Sequence, residues 1–282
     1  MSIQWFPGHM AKARQLLSEC IPLVDVVLEL RDARIPRSSA NPLLAHLVGD
    51  KPRVVVLTKP DLADERVTAL FAAGFESQGI ACVAVNARDN RGTRQLLDRA
   101  KEVAQSSLPR DRASGKTLRA PRVMIAGIPN VGKSSLINAL SGRKAARTGA
   151  TPGLTRAKQW IRLPSGLELL DTPGLLWPRL EDPEVAFRLA VTGAIGEGGF
   201  DNLTLAERLV QFLVQAYPLA LAARYKVEAQ RDTSAAAILQ AIGERRGCLV
   251  AGGQVDVSRA ADLLLQEFRL GKLGRFTLDS FL

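Results

Sequence analysis

The run Gly127-Ile128-Pro129-Asn130-Val131-Gly132-Lys133-Ser134 fits the pattern GxxxxGK[ST]. Residues of these types at this spacing can cradle a polyphosphate. Glycines let backbone N–H groups turn inward, and a helix opening at Lys133 would add the positive end of its dipole. Lys133 would reach the β- and γ-phosphates and the Ser134 hydroxyl would ligate Mg²⁺, with Val131, Gly132 and Ser135 in the same turn. Asp171-Thr172-Pro173-Gly174 reads as DxxG at a strand end. Its carboxylate would approach the Mg²⁺ shell, through water, and the Gly174 N–H would face the γ-phosphate. Between the two lies Thr148-Gly149-Ala150-Thr151-Pro152-Gly153-Leu154-Thr155, a loop by its Gly and Pro content. Thr155, with Thr151 as the alternative, is the candidate for a threonine that meets Mg²⁺ only when the γ-phosphate is present. Upstream, Thr58-Lys59-Pro60-Asp61 offers a KxD turn. The Asp61 carboxylate can accept from the ring N–H and the exocyclic amine of guanine together, a donor pair that adenine lacks, while the Lys59 stem covers the base. Asn86 and Ala87 could lend a backbone N–H to the guanine carbonyl.

These loops must be held by strands and helices. Leu23 to Leu30, Arg53 to Thr58, Ile80 to Asn86 and Arg122 to Ala126 read as buried strands. Asp61 to Gln78, Arg91 to Ala104 and Lys133 to Leu140 read as helices. Trp160 to Leu163 and Leu167 to Leu170 read as a hairpin turning at Pro164, Ser165 and Gly166. The alternation implies an α/β fold with a mostly parallel sheet and flanking helices. Beyond about Trp177 the strand signals stop. Leu205, Leu209, Phe212, Leu213 and Ala216 share one helical face, and Val257, Ala260, Ala261, Leu264, Leu265 and Phe268 share another, so a smaller all-helical part is expected.

The motifs together resemble those of the translation-factor class of P-loop GTPases, but here the base motif precedes the phosphate loop. That order, with Trp5-Phe6-Pro7-Gly8-His9-Met10-Ala11-Lys12-Ala13 at the start, resembles the circularly permuted GTPases. It is similar over nearly the whole chain to the bacterial ribosome biogenesis GTPase A (YlqF) family. Asp32-Ala33-Arg34-Ile35-Pro36, Asn41-Pro42 and Gly271-Lys272-Leu273-Gly274-Arg275 extend the match. The resemblance implies a permuted GTPase domain over 1–177 and a helical C-terminal domain over 178–282 that docks on ribosomal RNA. It also implies GTP binding and hydrolysis in late assembly of the large ribosomal subunit, with GTP or GDP and Mg²⁺ bound. Asn130 is similar to the phosphate-loop asparagine of K⁺-dependent members, where K⁺ can stand in for an arginine finger. The family usually carries Asn where Thr58 stands, so one structural hydrogen bond around the base is expected to be lost. Many GTPases place Gln after DxxG to orient the attacking water; Leu175 cannot, so turnover alone should be slow and stimulated by the ribosome. His9 is a candidate for orienting that water, the alternative being that its stretch only anchors the chain. His46 reads as an ordinary histidine on an apolar helix.

Composition sets outer limits. Apolar residues make up 46% of 282, enough to bury a real core, and no run approaches a membrane span. No signal-peptide pattern is visible, and Cys20, Cys82 and Cys248 form no CxxC pair, so a cytoplasmic protein with reduced thiols is expected. The net charge is +10, yet Arg110 to Arg162 holds twelve Lys or Arg and a single acid, Asp111, so the rest of the chain is close to neutral. Focused basicity favours a polyanion such as RNA, the alternative being a loop that meets only its own triphosphate. A monomer is expected, with no membrane partner. The competing functional readings are an RNA-binding scaffold with structural nucleotide and vestigial hydrolysis, and a GTPase serving another RNA or protein complex.

Overall fold

Near-continuous apolar runs mark strands covered on both faces, and these fix the centre of the molecule. The computed structural model describes residues 7–105, 108, 119–142, 159–172, 174–176, 180–195 and 200–281, with the side chains of 7–10 and 159 outside the description. Helix α1 (Pro7–Cys20) and a 3₁₀ turn (Ile21–Leu23) lead into β1 (Val26–Asp32). There follow α2 (Pro42–Val48), β2 (Arg53–Thr58), α3 (Glu65–Ser77), β3 (Ala81–Val85), α4 (Thr93–Ala104), β4 (Arg122–Gly127) and α5 (Lys133–Ser141). A hairpin of β5 (Gln159–Arg162) and β6 (Glu168–Asp171) completes the described strands.

The sheet has the order β3-β2-β1-β4-β6-β5. All neighbouring pairs are parallel except β5 with β6. The chain runs outward from β1 to β3, then returns to β4 on the other flank of β1. Strand order therefore reverses between β1 and β4, which opens a crevice at their carboxyl ends, where open α/β sheets bind ligands. On one face α1, α2 and the sheet enclose Leu17, Val27, Leu44, Met124, Leu170 and Leu175; further along the same face, by the strand register, Val55, Leu57, Phe71 and Cys82 form a second cluster. Burial pushes the Cys82 thiol up to about 12, which keeps it protonated and unreactive.

Two element boundaries differ from expectation by three residues or more, each for a polar reason. The first strand begins at Val26, because Pro22 sits in the 3₁₀ turn and the Asp25 carboxylate is tied to the Arg119 guanidinium and the Arg122 N–H. It runs on to Asp32, which pairs in register with Thr58. Helix α3 starts at Glu65 rather than Asp61. Asp64 caps it by accepting from the Arg66 and Val67 N–H groups, and Lys59 to Ala63 form a turn ahead of it.

The chain divides into two units, Met1–Glu181 with Thr277–Leu282, and Asp182–Phe276. The second contains α6 (Pro183–Val191), α7 (Asn202–Ala216), α8 (Leu219–Tyr225), α9 (Ala235–Arg246) and α10 (Val257–Arg269). Asp182, Asp201, Ser234 and Asp256 cap four of these with their side chains. The apolar faces of α7 and α10 are buried at Leu205, Leu209, Leu213, Ala260, Leu264 and Phe268, though Ala216 is exposed. The residues after Phe276, expected to lie with the helical part, instead belong to the first unit.

Candidate functional site

The loop after β4 takes the shape its residues allow. Asn130 and Gly132 adopt left-handed backbone at φ +54 and +107, and α5 begins immediately at Lys133. A helix leaves the N–H groups of its first turn without internal partners, so this loop presents donors suited to phosphate. A Cβ on Gly127 would stand 2.8 Å from the Leu30 carbonyl, so only glycine lets β4 pass β1 here. Lys133 Nζ donates to the carbonyls of Gly127 (3.1 Å) and Ile128 (2.6 Å). Burial lowers its pKa to about 8, with nearby Lys59 adding to the fall and Asp171 opposing it.

The DxxG segment lies beside that loop. Asp171 pairs in register with Ile125, and the Thr172 hydroxyl donates to the Ile125 carbonyl at 2.5 Å. The Leu175 N–H donates to Gly127 O at 3.2 Å. A Cβ on Gly174 would lie 3.0 Å from Lys133 Nζ and 3.1 Å from Pro129, a cradle that any side chain would fill. The oxygens of Ser134 and Asp171 are the hard donors Mg²⁺ takes, so the residues present fit that ion.

The base turn is fastened to the phosphate loop by two residues. Thr58 Oγ1 donates to Val131 O at 2.7 Å, with Arg31 O also within reach at 3.1 Å. The hydrogen bond expected to vanish with asparagine is thus matched by a hydroxyl bond from threonine. Lys59, left-handed at φ +54, donates from Nζ to Asn130 O (2.8 Å) and to Asp32 Oδ2 (2.9 Å). Asp32 also holds Arg34 in a buried bidentate pair at 2.9 and 2.7 Å. Burial opposes the Asp32 charge, but Arg34 and Lys59 outweigh it and hold the carboxyl well below the usual range. Burial lowers the Lys59 ammonium, with Asp32 opposing. Asp61 is exposed, two residues beyond this fastening. At the next strand end, the Asn86 N–H is committed to Arg91 O and its side chain to Arg88 N and Asp89. Of the expected pair, the Asn86 N–H is thus already taken within the protein.

Comparison with known proteins follows the same lines. A family profile described as "50S ribosome-binding GTPase" matches residues 122–222. Ribosome biogenesis GTPase A of Priestia megaterium is 48% identical over 280 residues, 99% of this chain and 97% of the relative. The chain belongs to the ribosome biogenesis GTPase A family. Among solved structures, GDP-bound TM YlqF is similar with TM-score 0.68 and 27% identity, over 93% of this chain and 97% of that one. GNP-bound YlqF from T. maritima gives 0.67 and 26%, over 96% and 98%.

In this member of the ribosome biogenesis GTPase A family, Leu175 stands where many GTPases place a water-orienting Gln, and it is 1% exposed within the apolar cluster under α1 and α2. Sequence reasoning gave no role to Asp32, Asn41 or the last residues. Asn41 caps α2 and its amide donates to Leu175 O at 2.7 Å, fixing the segment after DxxG. The Asn-Pro pair was a visible cap signal; its reach to Leu175 was not. Thr151 and Thr155 lie outside the described residues, as does the side chain of His9, whose backbone is in α1. Much of the basic segment lies outside as well. Of its described members, Arg119 and Arg122 pair with Asp25 and Glu168, and Arg162 is exposed.

Proposed function

We propose that this chain binds GTP in the crevice between β1 and β4 and hydrolyses it as a switch in assembly of the large ribosomal subunit. The observation that carries this reading is the joining of Thr58 and Lys59 to the carbonyls of Val131 and Asn130, which makes one continuous site from two motifs some 71–73 residues apart. In it Asp61 reads guanine, Lys59 covers the base, and Ala87 N–H meets the carbonyl. The N–H groups of Val131, Gly132, Lys133, Ser134 and Ser135 surround the phosphates, and Gly174 N–H meets the γ-phosphate. Ser134 and Asp171, with Thr155, would hold Mg²⁺, which when bound neutralises charge between the phosphates. A K⁺ ion would be met by the Asn130 side chain. His9 is the candidate for orienting water. Among the described residues no helix is long and apolar enough to cross a membrane. The reading places the chain in the cytoplasm as a monomer, working on ribosomal RNA. The relatives' naming as GTPases disfavours the scaffold with vestigial hydrolysis.

GTP hydrolysis measured in K⁺ buffer, with and without purified large subunits, tests this. Large stimulation by the subunit, reduced when Na⁺ replaces K⁺ and absent in Lys133→Ala, is the expected result. GTP binding without any stimulation would overturn the assembly-switch reading.

A further inference from the structure

The five residues 277–281 fold back from the end of the helical unit into the first unit, and they do so beside the base turn. Thr277 Oγ1 accepts from the Asp64 N–H at 3.2 Å, three residues after Asp61, and lies 3.5 Å from the Ala33 carbonyl. Ala33 in turn donates its N–H to Thr58 O at 2.8 Å. The Leu278 N–H donates to Arg34 O at 2.8 Å. The Asp279 carboxylate accepts from the N–H groups of Arg37 (2.7 Å) and Ser38 (2.9 Å) and from the Ser38 hydroxyl (2.6 Å). Phe281 packs edge-on against Phe71 of α3 at 5.3 Å, over Gly74, and its carbonyl accepts from Arg37. Thr277 and Asp279 are both nearly fully buried.

These bonds reach the base turn from two sides. On one, the tail fixes 33–38, which carries Arg34 and through the buried Asp32 carboxylate holds Lys59. On the other, it fixes Asp64, where the turn from Lys59 ends and α3 begins. Between the two anchors stands Asp61, exposed and held by neither strand nor helix. An exposed aspartate reads two donors at once only if its backbone is fixed, since a displacement of one ångström breaks bidentate geometry.

We infer that the C-terminal tail, through Asp279 and Thr277, is a positioning segment for guanine recognition. It completes the base site from the far end of the chain. The inference rests on the proposed role of Asp61.

Hypoxanthine keeps the ring N–H of guanine and lacks its amine, so the ratio of IDP to GDP dissociation constants measures the second arm of the carboxylate. That ratio is to be measured on the full chain for wild type, Asp61→Asn, Asp279→Ala and Asp279→Asn. In Asp279→Ala the preference for GDP should fall about fivefold or more. In Asp279→Asn, where an amide oxygen still accepts from the Arg37 and Ser38 N–H groups, it should be largely kept. A general loss of stability would weaken both nucleotides alike and leave the ratio unchanged. If Asp279→Ala does not fold, Thr277→Val removes the Asp64 acceptor at constant shape and should lower the ratio in the same direction. An unchanged ratio in the folded tail variant, with a wild-type preference that Asp61→Asn abolishes, overturns the tail's role and leaves Asp61 standing. A wild-type preference that survives Asp61→Asn overturns both.

Discussion

Thr58 sits where the family usually carries asparagine, and it is almost fully buried between Arg31 and the phosphate loop. Its single hydroxyl proton goes to the nearer acceptor, the Val131 carbonyl. Thr58→Val keeps the shape and leaves that carbonyl without its donor, a cost of about 1–2 kcal/mol. Because Val131 belongs to the phosphate loop, the cost should appear in nucleotide binding as well as stability, as a roughly tenfold weaker GDP affinity. Fluorescent-nucleotide titration checks this; unchanged affinity would mean that the loop holds its shape without threonine. Leu175 makes the opposite argument. By its position after DxxG, Leu175→Gln would place an amide where many GTPases orient water, but the side chain is sealed among Leu17, Leu44 and Met124. An amide placed there lacks partners, so Leu175→Gln should cost about 2–4 kcal/mol of stability and give no gain in intrinsic hydrolysis. Faster turnover in the variant would show that the segment can turn its side chain outward.

At the scale of elements, the capping of α2 links the first unit's packing to its chemistry. Asn41 accepts from Leu43 and Leu44 at the helix start and donates to Leu175 O. Asn41→Ala should therefore cost about 2 kcal/mol, more than a cap alone, and should loosen the segment after DxxG. Thermal unfolding followed by tryptophan fluorescence measures it. A loss no larger than an ordinary cap would show that the bond to Leu175 is not a tie. The same elements explain what the sequence could and could not reveal. β2 was legible to the residue, because Pro52 and Lys59 bracket an unbroken apolar run. β1 was read short at its far end, because Arg31 and Asp32 end the apolar run while the backbone pairing continues to Asp32. α3 was read too long, since the Asp64 cap lies behind an equally plausible Asp61. The phosphate loop and DxxG follow local rules of spacing and were visible. The Asp32–Arg34–Lys59 cluster and the tail are not local. Asp279 meets Arg37 and Ser38 across more than 240 residues, with neither period nor composition to signal it.

For the whole molecule, the two units can be followed separately. Trp160 lies in the first unit and the chain's two tyrosines, Tyr217 and Tyr225, in the second. In the second, Glu267 on α10 is buried and accepts from Arg224 (2.8 and 2.5 Å), Arg246 (2.6 Å) and the Tyr225 hydroxyl (3.0 Å). It thereby ties α8, α9 and α10 at one point. The Arg224 hydrogen bonds, against the opposing effect of burial and with help from Tyr225 and Arg246, lower its carboxyl from the ordinary 4.5 to about 2. A carboxyl whose folded pKa is depressed stabilises the fold fully above its unfolded value. That stability drains away as pH falls through the folded one. The helical unit should thus lose on the order of 3 kcal/mol from this group between pH 4.5 and 2. Glu267→Gln should start lower by a similar amount at pH 7, since two guanidinium groups lose their carboxylate, and should show a shallower acid dependence over the same interval. Tyrosine ring resonances followed by NMR through an acid titration separate this from tryptophan fluorescence of the first unit. If wild type and Glu267→Gln lose the tyrosine signals along parallel curves, the carboxylate is not what holds the three helices together.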